Sequence, residues 1–109
     1  MSRRAAKRDA NEAEIVAALR ALGYWVDQLP GDNGRPDLLV GVPNTHTWLL
    51  LEVKMPGTGR LSPKQKEYHR ACTTRIHLVE CVDQAVMVAA RYRQPGGFDG
   101  PTQSMGGAR

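Results

Sequence analysis

Apolar residues first recur at helical spacing, where Ile15, Ala18, Leu19 and Leu22 follow Asn11 and Gly23 ends the run. Side chains three and four positions apart share one face of a helix, so a helix is predicted over about residues 11–22. Asn11 suits the N-cap, and Glu14 at the third helical position would complete a capping box. The period then shortens. "YWVDQL" reads as a strand and "PGDNG" as turn chemistry, and two strongly apolar strands follow at about 37–42 and 47–55, around "VPNTHT". After "PGTGR", Ser62 caps a second helix that has Pro63 at its first position and Gln65 at its third, and that runs to about Cys72. "IHLVE" is a fourth strand, and "VDQAVMVAARY" a closing helix with Asp83 as the expected cap. The order of helix, three strands, helix, strand and helix predicts a small α/β or α+β domain, with a sheet flanked by helices.

Within this pattern three charged residues stand out, because Asp37, Glu52 and Lys54 interrupt the two most apolar strands. An unpaired buried charge costs several kcal/mol. Side chains alternate along a strand, so Trp48, Leu50, Glu52 and Lys54 face one way and Leu49, Leu51, Val53 and Met55 the other. If the two strands form a hairpin with its turn centred between Asn44 and Thr45, paired positions sum to 89 and Asp37 lies opposite Glu52. Two carboxylates about 4 Å apart repel by on the order of 4 kcal/mol at an effective dielectric near 20. A shared proton or a cation relieves that repulsion, and an oxygen-lined space suits Mg²⁺ or Mn²⁺. The plainer alternative is a surface strand with a Glu52–Lys54 ion pair and Asp37 in a turn. The Leu-rich runs argue instead for a strand buried on both faces.

The 109-residue length fits one domain, expected at 9–93, between a basic arm at 1–8 and a disordered Gly/Pro-rich tail at 94–109. No apolar run approaches the roughly 20 residues of a membrane span. "MSRRAAKR" lacks the apolar stretch of a secretory signal, so a cytoplasmic protein is expected. Cys72 and Cys81 are expected to be reduced and in or near the core. The net charge of +4 and pI of about 9.4 fit a polyanionic partner. Lys7 and Arg8 belong to one basic cluster, and Arg60, Lys64, Lys66 and Arg70 form another at the second helix.

"RPDLLV", "LEVK" and "LSPKQ", with Glu52 fifteen positions after Asp37, resemble the PD-(D/E)XK nuclease superfamily. Within it the chain is similar to the small VRR-NUC (virus-type replication-repair nuclease) domains of phage and bacterial type, and to archaeal-type Holliday junction resolvases. The resemblance spans about residues 9–90. It implies a restriction-endonuclease-like αβββαβ core with a mixed sheet. It also implies metal binding by Asp37 and Glu52, activation or orientation of the attacking water by Lys54, and a site role for Gln65. Gln65 equally completes a capping box with Ser62. The family adds a first-helix glutamate, here Glu12 or Glu14. Helical phase does not separate them, but Glu12 stands eleven residues before Gly23, as in related resolvases, and is favoured. Tyr68, His69, His46 and His77 are left outside the catalytic set.

The implied activity is Mg²⁺-dependent endonuclease cleavage of branched or structured DNA, Holliday junction resolvase-like and tied to repair or recombination. Arg35, Arg60, Lys64, Lys66, Arg70, Lys7 and Arg8 would contact the DNA. The alternatives are a less selective nicking or flap-type nuclease, and a non-catalytic nucleic-acid-binding module. A homodimer would supply two sites for paired cuts, with Val86, Met87 and Ala90 as one candidate patch.

Overall fold

The computed structural model describes residues 9–93. Three helices, α1 (Glu12–Ala21), α2 (Pro63–Ala71) and α3 (Val82–Arg91), combine with four strands, β1 (Trp25–Gln28), β2 (Leu38–Gly41), β3 (Trp48–Val53) and β4 (Ile76–Val79). The strands form one sheet in the order β1-β2-β3-β4. β1, β2 and β3 are antiparallel neighbours, and β4 runs parallel to β3. The fold is therefore α+β with a mixed sheet, as the sequence pattern and the family resemblance both predict. The basic arm and the Gly/Pro-rich tail lie outside the described residues.

One face of the sheet carries the core. Val26, Leu38, Val40, Leu49, Leu51, Val53 and Val79 are buried there with Ile15, Val16 and Leu19 of α1 and Ala85 and Ala89 of α3. The other face is much barer than the Leu-rich runs suggest. Trp25 is 61% exposed, Trp48 55% and Leu78 50%, so burial on both faces holds only near Glu52, which is 1% exposed. Strand length and hydrophobicity do not reveal where the covering helix stops.

The buried stripe of α1 consists of Glu12, Ile15, Val16 and Leu19, whereas Leu22 is 47% exposed. Taking Val16 rather than Leu22 into the stripe rotates the helix toward Glu12 and leaves Glu14 in solvent. The expected capping box at this helix does not form. Asn11 has helical backbone angles and makes no side-chain cap. Its Nδ2 instead donates to the carbonyls of Lys54 (3.0 Å) and Glu80 (2.7 Å), the residues that follow β3 and β4. Long-range carbonyls claim this side chain, and local spacing gives no sign of them. The cap of α3 is Cys81, not Asp83, which sits in the first turn; the amide of Glu80 donates to Gln84 Oε1 at 2.7 Å. Cys72 and Cys81 are free thiols, half-buried at the edge of the core. In the candidate dimer patch Met87 is 61% exposed, while Val86 packs against the core.

The Asn11 clamp carries the first prediction. Asn11→Ala leaves two strand-end carbonyls without their donor, which should cost about 1–3 kcal/mol of stability. Urea denaturation measures it, and a variant as stable as the parent would refute the clamp.

Candidate active site

The β2–β3 hairpin has the expected register, with Leu38 paired to Leu51, Val40 to Leu49 and Gly41 to Trp48. The turn is closed by the Val42 amide donating to Thr47 O at 3.0 Å, and Asn44 takes a positive φ of 62°. Just before the Leu38–Leu51 pair, the Asp37 amide also donates to Leu51 O at 3.1 Å, and the Asp37 carboxyl meets that of Glu52 by a hydrogen bond. Asp37 lies just before β2, and its Oδ2 accepts from the Val53 amide at 2.7 Å. Backbone on both strands thus fixes where the two carboxyl groups meet.

α2 crosses the same sheet face and brings a second layer of polar groups. Ser62 and Gln65 make a complete capping box: Gln65 N donates to Ser62 Oγ (3.1 Å) and Ser62 N to Gln65 Oε1 (2.8 Å). The same Gln65 Oε1 accepts from Lys54 Nζ at 2.9 Å, and Gln65 Nε2 donates to Glu52 Oε2 at 3.1 Å. One side chain therefore caps its helix and holds both the glutamate and the lysine. One turn on, His69 Nε2 lies 3.3 Å from Glu52 Oε1. Lys54 spends its ammonium on Gln65, so the surface ion pair of the plainer alternative is not its arrangement.

These groups line an open cleft of about 830 Å³. Its walls include Asp9, Asp37, Glu52, Lys54 and Gln65, together with the loop at 31–35. The loop approaches α2 closely at Gly34, whose φ is +76°, and a Cβ there would fall 2.2 Å from Lys64 O. Only glycine fits that contact.

Burial above all, then the hydrogen bond and charge of the facing Asp37, hold the Glu52 carboxyl up at about 9, from an ordinary 4.5. Lys54 pulls the other way, and Asp9 adds a further upward push. Burial and the Lys54 charge lower the His69 imidazole below its usual range. At neutral pH the His69–Glu52 contact is thus between uncharged groups, and Glu52 keeps a proton that a cation could replace. Asp37 and Glu52 offer an all-oxygen donor pair suited to a hard divalent ion. Among the described residues no cluster of three or more His, Cys, Asp or Glu could hold a metal.

Four of the five expected site residues, Asp37, Glu52, Lys54 and Gln65, come together in the cleft. Glu12 does not line it. It is 2% exposed, and its Oε2 accepts from Gln28 Nε2 at 2.9 Å. Arg35 and Lys64 line the cleft, and Arg35 also pairs with Asp32 at 3.5 Å. Arg60 and Lys66 line an adjoining hollow that shares Lys54. Arg70 is exposed on α2 away from both, and Lys7 and Arg8 fall outside the described residues. Asp9 and His69, neither of them in the expected catalytic set, join the cleft and its Glu52 carboxyl. The signal for His69 was its position four residues after Gln65, on the same helical face. Asp9, a polar residue before the first helix, gave none.

The family model of the VRR-NUC domain matches residues 4–86. The chain belongs to the VRR-NUC domain family. This is a PD-(D/E)XK-like nuclease domain, with DNA as the partner the family implies. No curated protein and no solved structure matches the chain. In this VRR-NUC domain no helix of the described residues is long and apolar enough to cross a membrane.

The raised Glu52 carboxyl gives a pH signature. Its folded value, about 9, exceeds the unfolded 4.5, so its contribution to stability is complete below about 4.5 and is lost as pH rises toward 9. In EDTA, the melting temperature of wild type relative to Glu52→Gln should fall steadily across that window. Parallel melting curves at all pH values would contradict the buried proton.

Proposed function

We propose that the protein is a metal-dependent endonuclease that hydrolyses phosphodiester bonds in branched or otherwise structured DNA, in the manner of a Holliday junction resolvase. The observation that carries this reading is the buried Glu52 carboxyl, set against Asp37 and reached through Gln65 by the Lys54 ammonium. A purely structural strand gains nothing from facing acids, because hydrophobic residues in their place would avoid the repulsion.

Asp37 and Glu52 would hold Mg²⁺, with Mn²⁺ as a substitute; two carboxylates completed by waters and phosphate oxygens is the usual way Mg²⁺ is bound. Such an ion supplies Lewis acidity at a phosphoryl oxygen and lowers the pKa of a bound water. Lys54, steered by Gln65 Oε1 at 2.9 Å, presents its remaining N–H donors to the cleft, where they can orient the attacking water or offset charge on the phosphate. Gln65 fixes both neighbours, and His69 adds a second restraint on Glu52. Arg35 and Lys64 at the cleft, with Arg60 and Lys66 beside it, would take flanking phosphates and give salt-dependent, largely sequence-independent affinity. Paired cuts across a junction call for two active sites, which a two-fold homodimer supplies.

Labelled four-way-junction and linear duplex DNA, incubated with Mg²⁺ or with EDTA, test the reading. Cleavage of the junction only with Mg²⁺ is expected. Equal cutting of both substrates points to the less selective nicking activity, and no cutting with intact binding points to a binding module. Lys54→Ala should lower the rate by about 10²–10⁴-fold. Asp37→Ala should abolish cutting while DNA affinity stays near wild type. For Gln65→Ala a loss of roughly 10–100-fold is expected, the usual effect of removing a group that orients metal-site residues. A rate within a few-fold of wild type in Lys54→Ala or Asp37→Ala would contradict the assigned roles.

A further inference from the structure

The sheet face that carries Glu52 continues away from the cleft into an aromatic row. Trp25 pairs with Gly41 and Gly41 with Trp48, so all three project on that face side by side across β1, β2 and β3. Gly41 makes room for the row. A Cβ there would meet Trp48 Cζ3 at 2.9 Å and Trp25 Cβ at 3.3 Å, so the Trp48 ring reaches across β2 toward Trp25. This packing explains the glycine but not the indoles, because Trp25 remains 61% and Trp48 55% exposed. Around them lies a hollow of about 230 Å³, rimmed by Thr45 and Thr47. That is below the roughly 300–1,000 Å³ of enclosed small-molecule sites. It suits a flat ring laid on the surface.

We propose that Trp25 and Trp48 form a stacking platform for unpaired nucleobases, so that the preferred substrates carry unpaired nucleotides beside the cut. This rests on the nuclease reading for the identity of the polymer. Three observations favour a nucleic-acid strand over a second protein copy. Trp side chains cover about 150–250 Å² each, so the exposed parts of the two indoles offer on the order of 200–300 Å². A stable dimer needs about 800 Å² per partner. The platform is also continuous with the cleft: Trp48 precedes Glu52 by four residues on β3. At about 3.3 Å per residue that is roughly 13 Å, the span of about four stacked nucleotides at about 3.4 Å each. Finally, the charge is arranged for it. Arg35 and Lys64 stand at the cleft end, while Asp27 follows Trp25 by two residues on β1 and shares its face. Lys64 at the cleft and Arg20, which lines a hollow with Trp25 and Asp27, can take phosphates on either side of the indoles, which take the bases.

These are the only two tryptophans in the chain, so intrinsic fluorescence reports on the platform directly. In EDTA, oligo(dT) should quench wild type, while an abasic oligomer of equal length and a blunt duplex should quench it far less. Trp48→Ala and Trp25→Ala should each weaken oligo(dT) binding by roughly 5- to 150-fold, the range measured for loss of one stacked base. Trp48→Phe, which keeps an aromatic face, should recover most of it, with circular dichroism confirming the fold of each variant. Equal quenching by the abasic oligomer, or unchanged affinity in both alanine variants, overturns the platform. So does a dimer in sedimentation whose formation alone shifts the fluorescence, since the row is then covered by a second copy. The nuclease reading fails separately. If wild type cuts no DNA with Mg²⁺ yet oligo(dT) quenches it, only that reading is lost; if it cuts DNA without base-dependent quenching, only the platform is.

Discussion

Asp37 and Glu52 meet across the open end of the β2–β3 hairpin, and the repulsion between two carboxyl groups in so little space governs what surrounds them. Backbone amides hold one acid, through Val53 N at 2.7 Å. Side chains of α2 hold the other, through Gln65 and His69. Burial first, and then the hydrogen bond and charge of Asp37, keep a proton on Glu52 near neutrality. Site chemistry and local stability are therefore coupled at a single pair of groups. The domain tolerates this because the opposite face of the same strands is a fully apolar slab, with Leu38, Leu51 and Val53 at no more than 1% exposure.

The helices divide the work. α1 and α3 bury apolar stripes against that slab, and Asn11 fastens the start of α1 to the ends of β3 and β4. Those strand ends are where the cleft opens, so the clamp sets the cleft floor as well as the helix. Glu12 is drawn into the α1 stripe, where its carboxylate accepts from Gln28. The acid nearest the cleft from the N-terminal side is Asp9.

Much of this was readable from the chain because the deciding signals were local. The turn at Asn44 and Thr45 fixed the hairpin register, and with it the meeting of the two acids, since a strand slipped by one residue would have taken Leu38 or Leu49 and Leu51 out of the core. The Ser62–Gln65 capping box was legible for the same reason, and the same Gln65 also bonds Lys54 and Glu52. Long-range features were not legible. The carbonyls that claim Asn11 lie 43 and 69 residues away. The choice between Glu12 and Glu14 depended on whether Val16 or Leu22 faced the sheet, which amphipathic spacing alone left undecided. The bare sheet face around Trp25 and Trp48 was hidden because hydrophobicity records what a strand could bury, not what the rest of the fold supplies to cover it.

α2 contributes no fully buried side chain. It is moored by Gln65, by His69 and by the backbone approach at Gly34, whereas the acids stand on the rigid slab. Elements with few buried apolar contacts open at lower free energy than the core that carries them. One wall of the cleft is thus compliant and the other stiff. Glu52 and Lys54 are both bonded to Gln65 of that compliant helix, so any displacement of α2 would release the acid and the lysine together.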